Sequence, residues 1–346
     1  MQKQHNMKIS KFGAERIAAL IEKVLTQAEA GSWKKPWVSR AAAYFPCRNI
    51  ERPQPYQGVN AGLLSLVMSV NGYRTPLFIT GDKARDLGLS IKKDSNGRKE
   101  ECWPVFKWLH FIYDKDGNKL NQAQFEELSL KEQGECTQWW SLRLYFVYNI
   151  DQTTMQEDLP STYEKFCSLY PRHAEQLTPE EDAEDPSLDY LLNTQGAWRC
   201  PILHQVGNQA FYRHSSDYKI ELIQLPKREQ FKTISSYYGT ALHEMAHSTK
   251  GEPNMRRNYG RKKKYDEGYA LEELVAEFTA AFVCCERGHT KTIDSEHVAY
   301  VQMWRKAIKK HDVVTTILDD LIRCVNYTLK VLNAVDEKLS SSTQAA

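Results

Sequence analysis

The sequence lacks any apolar run of the roughly 20 residues that a membrane-spanning helix requires. Its first 25 residues are polar and then amphipathic, without the apolar core and small-residue cleavage site of a signal peptide. These absences argue against a membrane-embedded or secreted protein. We therefore expect a cytoplasmic protein with no membrane partner.

The sequence also lacks any CxxC pair among its eight cysteines, and the adjacent Cys284 and Cys285 suit neither a mutual disulfide nor a zinc ribbon. Reduced and mostly buried thiols are expected. The rest of the composition is ordinary for a globular protein, with 41% hydrophobic and 26% charged residues. A length of 346 residues is enough for two domains, each with its own core.

The net charge of +2 conceals an uneven distribution along the chain. Residues 1–120 contain 20 Lys and Arg against 11 Asp and Glu, residues 121–190 contain 4 against 15, and residues 191–346 contain 22 against 18. A basic first third suits an anionic partner, although an ordinary solvated surface accounts for the same excess.

Hydrophobic periodicity and turn signals divide the chain into helices and strands. The predicted helices cover 9–30, 60–70, 232–250, 266–286 and 293–335. Aromatic and branched runs on either side of the Asp116-Gly117 turn predict strands. These patterns predict an α+β fold of two domains, the second mainly helical with a small sheet.

The domain boundaries are predicted from the acidic, proline-bearing stretch PEEDAEDPSLDY. Such a composition is typical of a linker or an insertion. We predict a first domain over 1–153, an acidic linker or insertion over 154–190, and a second domain over 191–346. Two modules separated in this way are expected to fold independently.

The stretch TALHEMAHS contains HExxH, the pattern of zincin metallopeptidases. Because helical positions four apart share a face, His243 and His247 can bind one zinc ion (Zn2+), and Glu244 can take a proton from the attacking water. A surface helix with two unrelated histidines is the alternative. The small and apolar neighbours favour metal binding, since burying these polar side chains without partners costs several kcal/mol.

A third protein ligand is expected from the run YALEELVAEF, about thirty residues further along the chain. Glu273 and Glu277 are four residues apart and share a helical face, so one can bind the metal while the other orients a histidine. Glu272 lies about 100° away around the helix and ranks below Glu273. Tyr269 is a candidate oxyanion donor, with a core or rim tyrosine as the alternative.

Six basic residues lie between the two motif-bearing segments. They can contact nucleic acid phosphates or an acidic substrate, but a solvated loop over the cleft is the preferred interpretation. The six residues are Arg256, Arg257, Arg261, Lys262, Lys263 and Lys264.

A mixture of aromatic and basic residues in the first third suits single-stranded nucleic acid. Bases stack on aromatic rings while Lys and Arg follow the phosphate backbone. Aromatic side chains more often belong to a core, so composition alone is a weak argument. The candidate contact residues are Trp33, Lys34, Lys35, Trp37, Arg48, Tyr56 and Asn60.

Longer motifs extend over roughly residues 9–335. In the N-terminal part they are WKKPW, RNIERPQPYQGVN, GYRTPLFITGDKARDLG and YFVYNIDQT. In the C-terminal part they are QAFYRHSSDYKIELIQLPKREQF, YYGTALHEMAHST and NYGRKKKYDEGYALEELVAEF. Together they resemble the ArdC-type antirestriction proteins of plasmids and other mobile elements, whose pair of modules also occurs in TraC-type primases.

The resemblance implies an N-terminal single-stranded-DNA-binding domain and a zincin-like metallopeptidase domain of the gluzincin type. It implies protection of incoming DNA during conjugative transfer. It assigns His243 and His247 as zinc ligands and Glu244 as the general base. In a related ExxxD arrangement the first carboxylate binds zinc and the second orients a histidine, so Glu273 is the expected ligand and Glu277 the orienting group.

Two classes of function stay open. One is a zinc peptidase that acts on a DNA-associated protein, and the other is a non-enzymatic single-stranded-DNA-binding protector with a structural zinc. A primase accessory is a third. Turnover of a protein substrate that depends on Glu244 separates the first class from the second.

Overall fold

The computed structural model describes residues 10–29, 46–52, 54–170, 183–260, 266–289 and 301–344. Within these residues the fold is α+β, as predicted, with twelve α-helices and two small sheets. None of the described helices is long and apolar enough to cross a membrane.

The N-terminal part is built on a five-stranded sheet. Its strands are β1 (Arg48–Asn49), β2 (Leu77–Thr80), β3 (Trp103–Tyr113), β4 (Lys119–Leu120) and β5 (Thr137–Asn149), in the spatial order β1-β2-β5-β3-β4. Its helices are α1 (Lys11–Glu29), α2 (Val59–Asn71), α3 (Gly81–Asp86), α4 (Gln122–Glu126) and α5 (Leu130–Glu135). The helices predicted over 9–30 and 60–70 are confirmed as α1 and α2.

Local sequence explains the two longer helices of this part. The apolar residues of α1 recur at helical spacing and form a buried stripe of Ile17, Leu20, Ile21, Val24 and Leu25. Helix α2 ends at Gly72, whose φ of 72° lies in the left-handed region that glycine adopts without steric cost.

Strands β3 and β5 form a long antiparallel pair that outgrows the rest of the sheet. Their register runs from the Trp103–Val147 pair to the Tyr113–Thr137 pair. Strand β2 contacts only residues 147–149 of β5, and β4 contacts only residues 112–113 of β3. The outer part of the pair therefore projects as a two-stranded ribbon.

The stretch predicted as an acidic linker, 154–190, is helical in much of its described part. It contains α6 (Met155–Asp158), α7 (Pro160–Leu169) and the start of α8 (Pro186–Asn193). Met155 and Tyr163 are buried in a small core cluster beside β2. The boundaries at 153 and 190 stay predictions, and residues 171–182 lie outside the described residues.

The C-terminal part combines a small sheet with four helices. Strands β6 (Ile202–Gln205), β7 (Phe211–His214) and β8 (Glu221–Pro226) lie in the order β6-β8-β7. The helices are α9 (Ile234–Ser248), α10 (Glu267–Arg287), α11 (Val301–Ala307) and α12 (His311–Gln344). These bounds confirm the helices predicted over 232–250 and 266–286.

The single helix predicted over 293–335 is wrong in its described part. The helix is interrupted at residues 308–310, between α11 and α12, and α12 continues to Gln344. Asp312 lies in the first turn of α12, where a negative side chain favours a new helix start because of the positive end of the helix dipole.

The N-terminal and C-terminal parts share one hydrophobic core. Helix α2 packs on α10, and a Cβ added to Gly62 would lie 2.2 Å from the ring of Phe282. Nearby, Ser65 Oγ and Cys285 Sγ are 3.1 Å apart. A single buried cluster extends from α1 and α2 into α9, α10 and α12. This continuity argues against the expectation that the two parts fold independently.

Candidate metal centre

Helix α9 positions both histidines of the HExxH motif. It starts after Thr233, whose hydroxyl accepts a hydrogen bond from Ser236 N in a capping box. The helix packs against α10 and against strands of the small sheet. His243, Glu244 and His247 are consequently only 6–8% exposed. The motif therefore lies inside the fold rather than on a surface helix.

Helix α10 brings carboxylates to the same place. Its first turn is capped by Asp266, which accepts a hydrogen bond from Tyr269 N. Further along, Glu273 is 6% exposed and lies against both histidines. Among the described residues, His243, His247 and Glu273 form the cluster that could hold a metal ion, with ligand atoms within 4.8 Å of one another.

The spacing within this cluster matches a tetrahedral metal. The Nε2 atoms of His243 and His247 are 3.1 Å apart. Glu273 Oε2 lies 3.3 Å from His243 Nε2, and its Oε1 lies 3.5 Å from His247 Nε2. Ligand atoms about 2.05 Å from a tetrahedral zinc are about 3.3 Å from each other. The three ligand groups therefore converge on one point at metal-binding distance.

Each histidine is oriented by its own carboxylate through the other ring nitrogen. His243 Nδ1 lies 3.0 Å from Glu277 Oε2, and His247 Nδ1 lies 3.1 Å from Glu272 Oε1. A proton on each Nδ1 leaves both Nε2 lone pairs pointing inward. Two lone pairs at this separation repel each other unless a cation lies between them.

The charges around the cluster also favour a cation. Burial alone lowers the pKa of His243, but hydrogen bonds to Glu273 and Glu277 outweigh it and raise that pKa to about 10. The pKa of His247 is also raised, against burial, by Glu273 and Glu272. Burial raises the pKa of Glu273, yet the two histidines hold it well below its usual range. The centre requires positive charge, either from protons or from a metal ion that replaces them.

Two further predicted residues lie close to the centre in sequence. The carboxylate of Glu244 makes no hydrogen bond or ion pair with the described residues, and its negative charge contributes to raising the pKa of His243. Tyr269 lies on the first turn of α10, and its half-buried ring packs against the main core. Its role as an oxyanion donor stays a prediction.

The sequence did not predict that Glu272 orients His247 or that Arg257 holds Glu272. The sequence places Arg257 in a solvated basic loop, but the structure buries it, and its guanidinium donates to Glu272 at 2.7 and 3.0 Å. It also donates to Ala246 O and to Thr249 Oγ1. The sequence contains one signal for these contacts. Two adjacent glutamates on a buried helix point in different directions, so each needs its own polar or charged partners. Residues 261–265 lie outside the described residues.

The structure describes three of the predicted DNA contacts. The guanidinium of Arg48 lies over the ring of Tyr170, 5.7 Å from its centroid. Tyr56 is partly buried against the core, and burial raises the pKa of its phenol. Asn60 serves the fold, because its amide donates to Phe106 O and accepts from Phe106 N, both at 2.7 Å, along the edge of β3. The four outside the described residues are Trp33, Lys34, Lys35 and Trp37.

Two protein families match the chain. Residues 14–134 match the N-terminal domain of anti-restriction factor ArdC. Residues 187–317 match a zincin-like metallopeptidase family, and this range contains all the residues of the candidate metal centre. The two matches fall on the N-terminal and C-terminal parts of the fold.

Curated relatives include two Escherichia coli proteins named DNA primase TraC. They are 30% identical over 315 residues and 28% identical over 298 residues, covering 89% and 84% of this chain. The chain spans only 19% and 24% of the length of these primases. A Sinorhizobium fredii protein of undescribed function is 21% identical over 298 residues, covering 85% of this chain and 84% of that protein.

The fold is similar to two crystal structures of the antirestriction protein ArdC from the R388 plasmid, one metal-free and one bound to Mn(II). Both have a TM-score of 0.55 and cover 92% of this chain, with 23% and 22% identity, and the match covers 98% and 97% of ArdC. The structural match shows a shared fold, and the sequence matches add an ArdC N-terminal domain followed by a zincin-like domain. The protein therefore combines an N-terminal domain of the anti-restriction factor ArdC type with a zincin-like metallopeptidase domain.

Proposed function

We propose that this protein binds single-stranded DNA, carries a metallopeptidase-type centre, and protects incoming DNA during conjugative transfer. DNA binding is assigned to residues 1–153 and the metal centre to 191–346, with 154–190 connecting them. The match of residues 14–134 to the ArdC N-terminal domain supports the first assignment. The observation that carries the second is the convergence of His243, His247 and Glu273 on one point, with Glu244 adjacent in α9.

The donor set fits zinc. Two imidazole nitrogens and one carboxylate are the protein ligands of many catalytic zinc sites, which keep a fourth position open. Manganese, which is bound in one ArdC structure, is the other divalent ion to consider. When bound, such an ion polarises a substrate carbonyl and acidifies water. The ligand spacing of 3.1–3.5 Å suits this chemistry without rearrangement.

The chain's own residues supply orientation and proton transfer. Glu277 and Glu272 hold the rings of His243 and His247 so that both Nε2 atoms face the centre. Glu244 accepts a proton from the attacking water and delivers it to the leaving amine. The proposal places DNA binding and peptide hydrolysis in one chain. The substrate class that it implies is therefore a protein associated with DNA.

A second function is favoured by the burial of the centre. His243, His247 and Glu273 are at most 8% exposed, and structural metal sites are typically closed. In that case the metal stabilises a protector of single-stranded DNA that has no enzymatic activity. A primase accessory is a third proposal, because the similarity to the TraC primases extends over most of this chain.

Metal analysis and a hydrolysis assay test the enzymatic proposal. The purified full chain should contain about one divalent ion, measured by mass spectrometry of the metal. Glu244→Gln should retain the metal and the melting temperature while hydrolysis of casein falls to background, because an amide accepts no proton. Glu267→Gln, an exposed change on α10, is the matched control. Hydrolysis by Glu244→Gln at the wild-type rate would refute the general-base role of Glu244. A wild-type protein that binds the metal but hydrolyses nothing would support the structural role of the metal.

A further inference from the structure

An aromatic ribbon projects from the N-terminal sheet. We define the aromatic ribbon as residues 107–113 of β3, strand β4 and residues 137–145 of β5. Trp108, Trp139, Trp140 and Tyr145 are 45%, 40%, 51% and 42% exposed. Large rings exposed together in this way mark an interaction surface rather than a core.

The strand register sorts the ribbon side chains onto two faces. Residues directly opposite each other in an antiparallel pair project from the same face. We call one face of the ribbon the platform face. It carries Lys107, Phe111, Tyr113, Lys119, Trp139 and Arg143. The other face is partly covered, because Ile112 is 1% exposed and Gln122 of α4 contacts His110 at 3.3 Å. The other face also carries the exposed rings of Trp108 and Trp140, but the ribbon's cations Lys107, Lys119 and Arg143 all lie on the platform face.

The platform face carries an unbalanced positive charge. Lys107 and Arg143 are directly opposite in the register, and both are exposed. Neither side chain forms an ion pair or hydrogen bond with the described residues. Strands β3, β4 and β5 contain no Asp or Glu. Like charges at opposed positions destabilise a sheet, so an anion bound between Lys107 and Arg143 would stabilise this pair.

The rings of the platform face lie in a continuous stack. Trp139 stacks on Tyr113 at 4.8 Å with an interplanar angle of 4°, and on Phe111 at 5.8 Å and 15°. The ammonium of Lys119 lies 5.2 Å from the Phe111 centroid. From Tyr113 to Lys107 the strand rises about 20 Å, so rings and cations lie at successive points along one track.

We propose that the platform face binds single-stranded DNA, with bases stacking on the ring group around Trp139 and phosphates meeting Lys107 and Arg143. The proposal rests on the single-stranded DNA binding proposed above and names the surface responsible. A single strand is the fitting partner because only unpaired bases offer free ring faces. The surface differs from the predicted contacts around Trp33 to Asn60, where Asn60 is engaged by β3.

Fluorescence anisotropy of a labelled oligothymidine with the full-length protein tests this surface. Trp139→Ala should weaken binding about 5- to 150-fold, which corresponds to loss of one stacked base at about 1–3 kcal/mol. Trp139→Phe retains a ring and should restore most of the affinity. Leu169→Ala, which truncates an exposed apolar residue on α7, should leave binding unchanged.

A charge variant gives an independent readout. Lys107→Gln combined with Arg143→Gln should reduce the slope of log affinity against log salt by about 1.4, since each phosphate contact contributes about 0.7 for single strands. Arg85→Gln, an exposed basic change in the same part of the chain, should leave the slope unchanged. Circular dichroism and the melting temperature identify any variant whose ribbon is misfolded.

The outcomes separate this surface from the broader function. If the wild type binds oligothymidine and the folded Trp139 and Lys107/Arg143 variants bind equally well, the ribbon assignment is overturned and DNA binding stands. If the wild type does not bind, DNA binding itself fails and the ribbon proposal fails with it. Equal affinity for duplex DNA also overturns the stacking proposal, because paired bases offer no ring faces along the strand.

Discussion

Arg257 holds Glu272 through two hydrogen bonds, of 2.7 and 3.0 Å, in the interior beside the candidate metal centre. The same Oε1 atom of Glu272 that accepts the 2.7 Å hydrogen bond also lies 3.1 Å from His247 Nδ1. The segment that follows α9 is thereby connected to His247, a candidate metal ligand, through one buried carboxylate. The side chain of Arg257 is fully buried, so this ion pair is shielded from solvent.

Arg257→Leu should destabilise the protein and weaken metal binding. Removing the guanidinium leaves the buried Glu272 with Lys250, 3.5 Å away, as its remaining basic partner besides His247. The loss should cost at most about 3–5 kcal/mol and loosen the hold on the ring of His247. Metal affinity should fall about 10–100-fold, as for other losses of a ligand-orienting group. Calorimetric metal titration and thermal melting measure the two effects. Arg256→Leu, at the exposed neighbour, is the control; unchanged affinity in Arg257→Leu would contradict the orienting role.

His243→Ala and His247→Ala should each remove the bound metal and lower the melting temperature. Two protein ligands hold a divalent ion far more weakly than three, and metal binding contributes to the stability of the folded state. His214→Ala serves as control, because that histidine lies on β7 and bonds Ser215 O. Full metal occupancy in both ligand variants would show that the site lies elsewhere.

Glu273→Ala should cost more metal affinity than Glu277→Ala. Glu273 faces both Nε2 atoms, whereas Glu277 contacts His243 at Nδ1, the ring nitrogen turned away from the centre. Loss of a ligand removes a coordinate bond, while loss of an orienting carboxylate typically costs about 10–100-fold. Isothermal titration of the metal-free variants with Zn2+ gives the ranking. The opposite order would assign the ligand role to Glu277.

Asp185→Asn should destabilise the protein at neutral pH and have a smaller effect in acid. Asp185 accepts hydrogen bonds from Arg287 at 2.6 and 2.8 Å. Burial raises its pKa, but the imidazole of His289, with Nε2 3.7 Å away, and the guanidinium of Arg287 outweigh this and hold the pKa well below the usual 3.8. A carboxyl with a lowered folded-state pKa contributes stability above its unfolded-state pKa, and that contribution is lost as the pH falls through the lowered value.

The measurement is the melting temperature of wild type and Asp185→Asn across pH. The difference in melting temperature between the two proteins should have its full size above pH 3.8 and should decrease as the pH falls below this value. Asparagine remains a good N-cap, so the change isolates the Arg287 contact from the capping of α8. Asp82→Asn, at an exposed position, should show no comparable effect. A pH-independent difference would refute the charge argument.

Gly62→Ala should destabilise the whole chain in a single transition. The added methyl meets the Phe282 ring at 2.2 Å, and overpacking a core costs about 1–3 kcal/mol. Because α2 and α10 belong to one core, both parts should unfold together in calorimetry. Gly134→Ala, which meets nothing within 4 Å, is the control. Separate transitions for the two parts would restore independent folding.

Local sequence patterns were sufficient to predict the main helices and to bring together His243, His247 and Glu273 as candidate metal ligands. The periodicity of α1, α2, α9 and α10 depends on neighbours within one or two turns, so it can be read from the sequence. The spacing that places His243 and His247 on one face follows from helix geometry alone. The same helix geometry places Glu272 and Glu273 on different faces of α10, but it does not reveal that Glu272 faces His247.

The sequence by itself determined the α+β class, the HExxH helix and the carboxylate-bearing helix that follows it. Only the tertiary structure decided that Arg257 is buried against Glu272, that α2 packs on α10, and that the rings of β3 and β5 face solvent. The physical reason is range: a helical face is set by residues three and four positions apart. A buried ion pair, a shared core and an exposed ring stack are set by which distant elements meet.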